Sequence, residues 1–402
     1  MGQMISMTQV ATLFAWALAI AWLWQAATAL NGMRHLPDLT RVDPTTLPQL
    51  EPSETPHLTV IVPALNEEGS IAATLRSLLA STGIRLQIIA IDDRSTDDTG
   101  KIMDAIATEE GSSGPHRLET IHIHELPAGW LGKPHAMALG AKQASAPWLL
   151  FTDGDVLFHP RALELALREA VALKADHLVL TPTIVYESLG ERSVLTAMQA
   201  LALWAVRLWK VADPRARDFI GVGGFNMVRR EVYERVGGFE SLRMEVLDDL
   251  FLGWRVKRAG YSQHVVVGPD LVRIRWIEGT LAVIRLFEKN GFAVSRFRVA
   301  LHLLACASLV IHVVVPLAAI AWGGWAMAAG LLTYLAIGLV YLANRRISRV
   351  SPWHAIFFAP VTTIVLFAFL RSMILALVRD GVDWRGTRYS LDELRRHVGS
   401  LK

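Results

Sequence analysis

Hydrophobic positions along this chain fall into two regimes. Four long stretches carry almost no polar side chains. Between the first and the second, short apolar runs alternate with amphipathic segments. In that middle region LTVIVPA, LQIIAID, LETIHIH, PWLLFTD and HLVLTPTIV read as strands, rich in β-branched and aromatic residues. The segments 67–80, 96–108, 133–144 and 161–173 repeat apolar residues at helical spacing. Strands alternating with helices imply βαβ units, so the fold class is α/β with a mostly parallel, Rossmann-like sheet.

The long runs predict membrane segments. The first, from Thr8 to Leu30, has no charged residue and exceeds the roughly 20 residues needed to cross a bilayer. Its length and a preceding segment without Lys or Arg argue for an uncleaved anchor rather than a signal peptide. Arg34, His35 and Arg41 follow it, which places the bulk of the chain in the cytoplasm. Runs at 299–322 and 325–343 form a hairpin that returns to Arg345, Arg346 and Arg349. A fourth run, 353–378, is interrupted by Pro360 and Arg371. If it spans, the basic tail ends outside, against the positive-inside rule; an interfacial or re-entrant path removes the conflict. The apolar stretch 193–211, with Trp204, Arg207, Trp209 and Lys210 at one end, reads as an interfacial helix, or else as a buried helix of the domain core. Residues 34–57 contain Pro37, Pro44, Pro48, Pro52 and Pro56, an extended linker. The expected organisation is an anchor (1–33), this linker (34–57), an α/β domain (58–296), C-terminal membrane segments (297–378) and a basic tail (379–402).

Composition agrees. Of 402 residues, 52% are hydrophobic and 13 are Trp, too apolar for an ordinary soluble protein. The net charge of +3 does not favour nucleic acid as a partner. The lone Cys306 excludes an internal disulfide and fits a reducing compartment.

Candidate chemistry sits where strands stop. The first strand ends in Pro63, Asn66, Glu67 and Glu68, the second in Asp92 and Asp93, and a later one in Asp153-Gly154-Asp155. In open α/β sheets ligands bind at the carboxyl ends of strands. Carboxylates suit hard cations such as Mg or Mn, and glycine between them admits close approach. An acidic turn after a strand is the plainer account of that triplet. Ser95 and Asp97 are explained as caps of the next helix. Neither GxGxxG nor GxxxxGK[ST] occurs, so no glycine-rich loop cradles phosphate. Lys133, opening a helix, either adds a cation near the same phosphates or is simply solvated.

VPALNEE, IDDRSTDDT, GWLGK, FTDGD, GGFNMVRREVYERVGGF and EVLDDLFLG occur in the order found in family 2 glycosyltransferases of the GT-A fold, and the chain resembles them from about Leu58 to Asn290. Its overall plan resembles the membrane-bound group that includes ceramide glucosyltransferases and hopanoid- or carotenoid-associated transferases. The resemblance implies that Pro63, Asn66, Glu67, Asp92, Asp93 and Lys133 bind the nucleotide-sugar, with Asp93 near the base or ribose. It implies that Asp153 and Asp155 form the metal-binding DxD pair, Asp155 the more direct ligand. Asp249, beside Asp248, would be the catalytic base; the alternative for that pair is an acidic helix N-terminus favoured by the dipole. Val272-Arg273-Ile274-Arg275-Trp276 resembles a QxxRW motif in which Val272 replaces the glutamine. Arg275 and Trp276 would contact phosphate and acceptor, or else form an amphipathic juxtamembrane segment. Trp384-Arg385-Gly386-Thr387-Arg388-Tyr389 resembles the WRGRxY ending of the group, with Thr387 in place of an arginine.

The expected protein is therefore a multi-pass plasma-membrane enzyme with a cytoplasmic catalytic domain. It moves a sugar with inversion from a nucleotide-sugar donor, UDP-linked, to a lipid acceptor, with a divalent cation. A processive polysaccharide synthase is the alternative enzyme; four membrane segments are few for a polymer channel. A non-catalytic scaffold of the same fold and a transporter are the other classes considered.

Overall fold

In chain order the computed structural model contains α1 (Met7–Met33), β1 (Leu58–Ala64), α2 (Ile71–Leu79), β2 (Leu86–Asp93), α3 (Thr99–Glu110), β3 (Arg117–Ile123), α4 (Gly132–Gln143), β4 (Trp148–Phe151), β5 (Val156–Phe158), α5 (Ala162–Ala172), β6 (His177–Thr181) and β7 (Thr183–Ile184). There follow α6 (Leu189–Ala205), β8 (Asn226–Arg229), α7 (Arg230–Arg235), α8 (Asp248–Arg258), β9 (Gln263–Val267), β10 (Val272–Ile274), α9 (Ala282–Val294), α10 (Val299–Trp322), α11 (Gly324–Ser348), α12 (Phe358–Val378), β11 (Gly381–Trp384), β12 (Thr387–Ser390) and α13 (Leu391–Ser400). Residues 6–51, 53–110, 114–384 and 387–400 are described. Pro52 of the linker, Arg385 and Gly386 of the tail motif, and Lys402 lie outside them.

The central sheet has the order β3-β2-β1-β4-β8-β6-β9. It is parallel except where β8 runs antiparallel to β4 and β6. β1 is buried along its whole length, as a strand covered on both faces must be. Alternate residues feed two cores. Val60, Val62, Ile88 and Ala90 pack with α2 and α5. Ile61, Ile89, Ile91 and Phe151 pack with α4 and the Phe239 turn.

The linker is extended but not loose. Leu39 N donates to Val267 O at 2.9 Å, and Asp38 bridges to β9. Buried Arg168 donates to the carbonyls of Leu47 and Pro48 at 3.0 and 2.9 Å.

Among the described residues four helices are long and apolar enough to cross a membrane: Met7–Met33, Val299–Trp322, Gly324–Ser348 and Pro352–Val378. α1 packs along α11 through small residues, Ala26 and Ala29 against Ala336 and Val340, which lets the backbones approach closely. The stretch read as one helix over 193–211 is divided. α6 starts earlier, capped by the Ser188 hydroxyl, and ends at Ala205. There Asp218 captures both the Arg207 backbone N–H at 2.8 Å and its guanidinium at 2.7 Å. α6 is wedged between the sheet and the long helices: Gln25 donates to Leu203 O at 2.7 Å, and Asn344 to Gln199 at 2.6 Å. Trp22 of α1 meets Trp204 of α6, His312 of α10 and Phe358 of α12 edge-on, with centroids 5.0, 5.5 and 5.6 Å away.

α12 touches the α/β domain near both of its ends. Just before it, Arg349 pairs with Asp270 at 2.5 Å. Just after it, the β11–β12 hairpin packs Val382, Trp384 and Tyr389 on Leu131, Met244 and Val246. Arg371, the charge inside this run, is paired with Glu288 of α9 at 2.6 Å.

Candidate active site

Parallel pairing places the ends of β1, β2 and β4 at one edge of the sheet. Beyond β4 the chain is pinned on two sides. Thr152 Oγ1 donates to Gly224 O at 3.0 Å, and Thr74 Oγ1 donates to Gly154 O at 2.9 Å. The Asp153-Gly154-Asp155 turn is therefore held between α2 and the 221–226 loop.

Lys133, in the first turn of α4, places Nζ 2.5 Å from Asp153 Oδ1. Burial opposes its charge, but Asp153, Asp248 and Asp249 outweigh that and raise its pKa. Asp248 and Asp249 open α8, where an acid is favoured by the exposed N–H groups. Asp249 Oδ1 accepts from Leu250 N at 2.7 Å. Gly223 brings the two acidic turns together. A Cβ there would lie 2.5 Å from Asp153 Oδ2 and 3.3 Å from Asp249 Oδ2. Only a residue without a side chain lets these carboxylates face one another.

The electrostatics follow from crowding in a shielded place. Burial, then the charges of Asp153 and Glu67, raise the Asp155 carboxyl to about 7. Its Oδ1 is buried and accepts no hydrogen bond. Burial and Asp248 raise Asp249 to about 6, against the pull of Lys133. Asp248 is only 3% exposed, its Oδ2 lacks a partner, and burial raises its pKa as well. Among the described residues no three His, Cys, Asp or Glu side chains are placed to hold a metal ion by themselves. A cation at Asp155 and Asp153 would need ligand oxygens to complete its shell, as Mg²⁺ sites with substrate phosphates commonly do. The unsatisfied Asp155 oxygen and the charge on Asp153 fit that role.

The other expected residues divide between this pocket and its supports. Asp93 is fully buried and carries Arg94 on both oxygens, at 2.8 and 3.2 Å. It faces Gly132, where a Cβ would lie 2.3 Å from Asp93 Oδ2. Asp92 turns to the opposite face of β2, as the neighbouring strand residue must. There it accepts from Ser95 N and meets His122, both at 3.1 Å. Asn66, at positive φ, ties the first loop to the second: its Oδ1 accepts from Thr96 N at 2.8 Å, and its N–H donates to Ser95 Oγ at 3.0 Å. Glu67 receives the Ser70 hydroxyl at 2.9 Å and lies near enough to Asp155 to raise its pKa. Pro63 is buried inside β1. Arg275 pairs with Glu187 and Glu278 at 2.6 and 3.5 Å, and Trp276 is exposed; neither joins the acidic cluster in the described contacts.

Sequence reasoning gave no role to Gly221, Gly223 or Asn226, although the last two stand in the GGFNMVRREVYERVGGF stretch. A Cβ on Gly221 would strike the Asp249 carbonyl. Asn226 donates to that same carbonyl at 3.1 Å and meets buried His177, which Gln263 contacts at 2.6 Å. The closely spaced glycines just before Asn226 were the available signal.

Residues 59–237 match the family model described as glycosyl transferase family 2. A 4,4'-diaponeurosporenoate glycosyltransferase of Staphylococcus haemolyticus is 24% identical over 237 residues, covering 57% of this chain and 59% of that protein. A probable glycosyltransferase of Bacillus subtilis, YdaM, is 24% identical over 322 residues, 73% of this chain and 71% of that one. This chain thus spans between half and three quarters of the length of these relatives. Among solved structures, mannosyltransferase PcManGT from Pyrobaculum calidifontis, in complex with GDP-Man and Mn2+, aligns with a TM-score of 0.52 and 19% identity over 92% of this chain and 99% of that one. That likeness concerns the fold.

Proposed function

We propose, from the premise that residues 59–237 form a family 2 glycosyltransferase domain, that this chain is a membrane-anchored inverting glycosyltransferase. It takes a nucleotide-activated sugar, UDP-linked, and glycosylates a lipid hydroxyl or carboxyl at the cytoplasmic leaflet. The observation that carries the reading is the convergence of Asp153 and Asp249 over Gly223, with Lys133 against Asp153.

In this reading the acceptor oxygen bonds to the anomeric carbon as the bond to the diphosphate breaks, and the acceptor proton passes to Asp249. A carboxyl raised to about 6 is ionised at neutral pH yet more basic than an ordinary aspartate, which suits a general base. Lys133 places positive charge beside the departing phosphate. Asp155 and Asp153 would hold a Mg or Mn ion, which when bound neutralises the leaving diphosphate. Asp93, Glu67 and the loops tied by Asn66 would shape the nucleotide pocket. The relative named for diaponeurosporenoate supports an apolar acceptor; the solved neighbour's GDP-Man and Mn2+ support a nucleotide-sugar donor and a divalent ion.

α1, α10 and α11 cross the bilayer, and the arginines after α1 and α11 put the α/β domain in the cytoplasm. Purified protein with Mg or Mn, lipid extract and a panel of UDP-sugars, with GDP-mannose included, provides the test. Mass spectrometry should find one lipid species heavier by a single sugar. A ladder of products would favour a polysaccharide synthase, and no product with any donor would remove the assignment.

A further inference from the structure

We infer that the junction between the α11–α12 turn and the α/β domain holds the phosphate of an anionic phospholipid. The inference rests on the membrane placement above, though not on the glycosyl-transfer chemistry. A cavity of about 460 Å³ opens there, lined by β7, β10, the start of α6 and the turn after α11. Three arginines line it: Arg192, Arg273 and Arg349. Asp270 neutralises Arg349 at 2.5 Å. Arg192 and Arg273 have no ion pair among the described residues, so the cavity keeps a net positive charge.

A second observation points to a ligand. His354 lines the same cavity and is 4% exposed. Its Nδ1 lies 3.1 Å from Ser351 O, and its Nε2 is buried with no partner. A buried ring nitrogen left unsatisfied is costly; with Nδ1–H donating to the Ser351 carbonyl, Nε2 of the neutral ring accepts, and a hydroxyl of a glycerol headgroup beside the phosphate would satisfy it. The surroundings decide between a free anion and a lipid. Leu189, Trp353 and Ile356, beside the cavity, are 51, 51 and 63% exposed. They extend the cationic pocket into an apolar surface at the cytoplasmic end of α11. Basic pockets at the ends of membrane helices recognise anionic headgroups by this combination. The acidic cluster at Asp153 and Asp249 contributes no side chain to this cavity.

The test uses the full chain in detergent, titrated with short-chain phosphatidylglycerol and followed by native mass spectrometry. Phosphatidylcholine and inorganic phosphate form the comparison arms. One phosphatidylglycerol should bind, and phosphatidylcholine should not. Arg192→Gln and Arg273→Gln, both surface positions that leave the fold intact, should each weaken binding about fivefold. His354→Phe should weaken it without altering net charge. Inorganic phosphate binding as tightly as the lipid would overturn the lipid assignment, as would arginine variants that bind like wild type. Turnover does not enter the readout, so failure here and failure of the glycosyltransferase reading are separately visible.

Discussion

Lys133 Nζ and Asp153 Oδ1 lie 2.5 Å apart, which ties the first turn of α4 to the turn after β4. The contact joins the start of a helix to the next strand-end turn and sets one positive charge among Asp153, Asp248 and Asp249. Replacing the lysine leaves those acids facing each other uncompensated. Lys133→Met should lower stability by about 1–3 kcal/mol. That is below the 3–5 kcal/mol of a fully buried pair, because the Asp153 side chain is 31% exposed. Turnover should fall at least about a hundredfold. Thermal unfolding together with steady-state kinetics checks both, and a variant as active as wild type would remove Lys133 from the phosphate role.

Asp155 illustrates a site held at a cost. Its carboxyl is pushed up to about 7, and one oxygen has no partner. In metal-free protein Asp155→Asn should raise the melting temperature, by an amount equivalent to about 1 kcal/mol. The same variant should lose the metal-dependent part of nucleotide binding, measured by calorimetry with and without Mn²⁺. Unchanged metal dependence would move the cation elsewhere.

Asp249→Asn should keep donor binding and lose transfer by about 10²–10⁴-fold. The base acts only when ionised, so wild-type kcat/KM should rise with pH through about 6 and level off above it. The variant's residual rate should lack that rise. A profile identical in both proteins would assign the proton transfer to another group.

The apolar alternation made the parallel strands legible, and the strand-end acids followed from the strands. The pairing of Lys133 with Asp153 was not legible, because it depends on where α4 docks in three dimensions. The 221–226 loop escaped for a similar reason: Gly223 matters through what it allows Asp153 and Asp249 to do, and spacing alone does not reveal that. The path of the 353–378 run was ambiguous because hydropathy does not distinguish a helix in lipid from one packed on protein. Arg371 was the clue. Its partner, Glu288, lies in an amphipathic helix that the apolar periodicity had not singled out.

His177 gives a stability signature with a fixed sign. Burial lowers its pKa from 6.5 to about 4, and its ring is sandwiched between Asn226 and Gln263. As pH falls below 6.5 the unfolded chain takes up a proton that the folded ring refuses. This residue's contribution is therefore full above 6.5 and declines toward pH 4. Raised acids such as Asp155 and Glu245 act in the opposite direction, so the comparison must be made against a variant. The gap in melting temperature between wild type and His177→Gln should narrow as pH drops from about 6.5 toward 4. A constant gap would mean that the ring is charged in the native state.

The tail should lie on the same side of the membrane as the sheet. α12 has 21 residues, about 31 Å of helix and enough to span, yet the chain meets the α/β domain on either side of it. Asp270 holds Arg349 before it, and Tyr389 packs with Leu131 after it. A crossing helix would carry Tyr389 to the far side of the bilayer from Leu131. Single cysteines in a Cys306→Ala background can locate these points. Arg388→Cys should react with a membrane-impermeant maleimide from the same side as Arg117→Cys, at the exposed start of β3. Trp325→Cys, in the first turn of α11 and 78% exposed, should react from the other side. If Arg388→Cys instead labels together with Trp325→Cys, α12 spans the membrane and the hairpin does not close on the α/β domain.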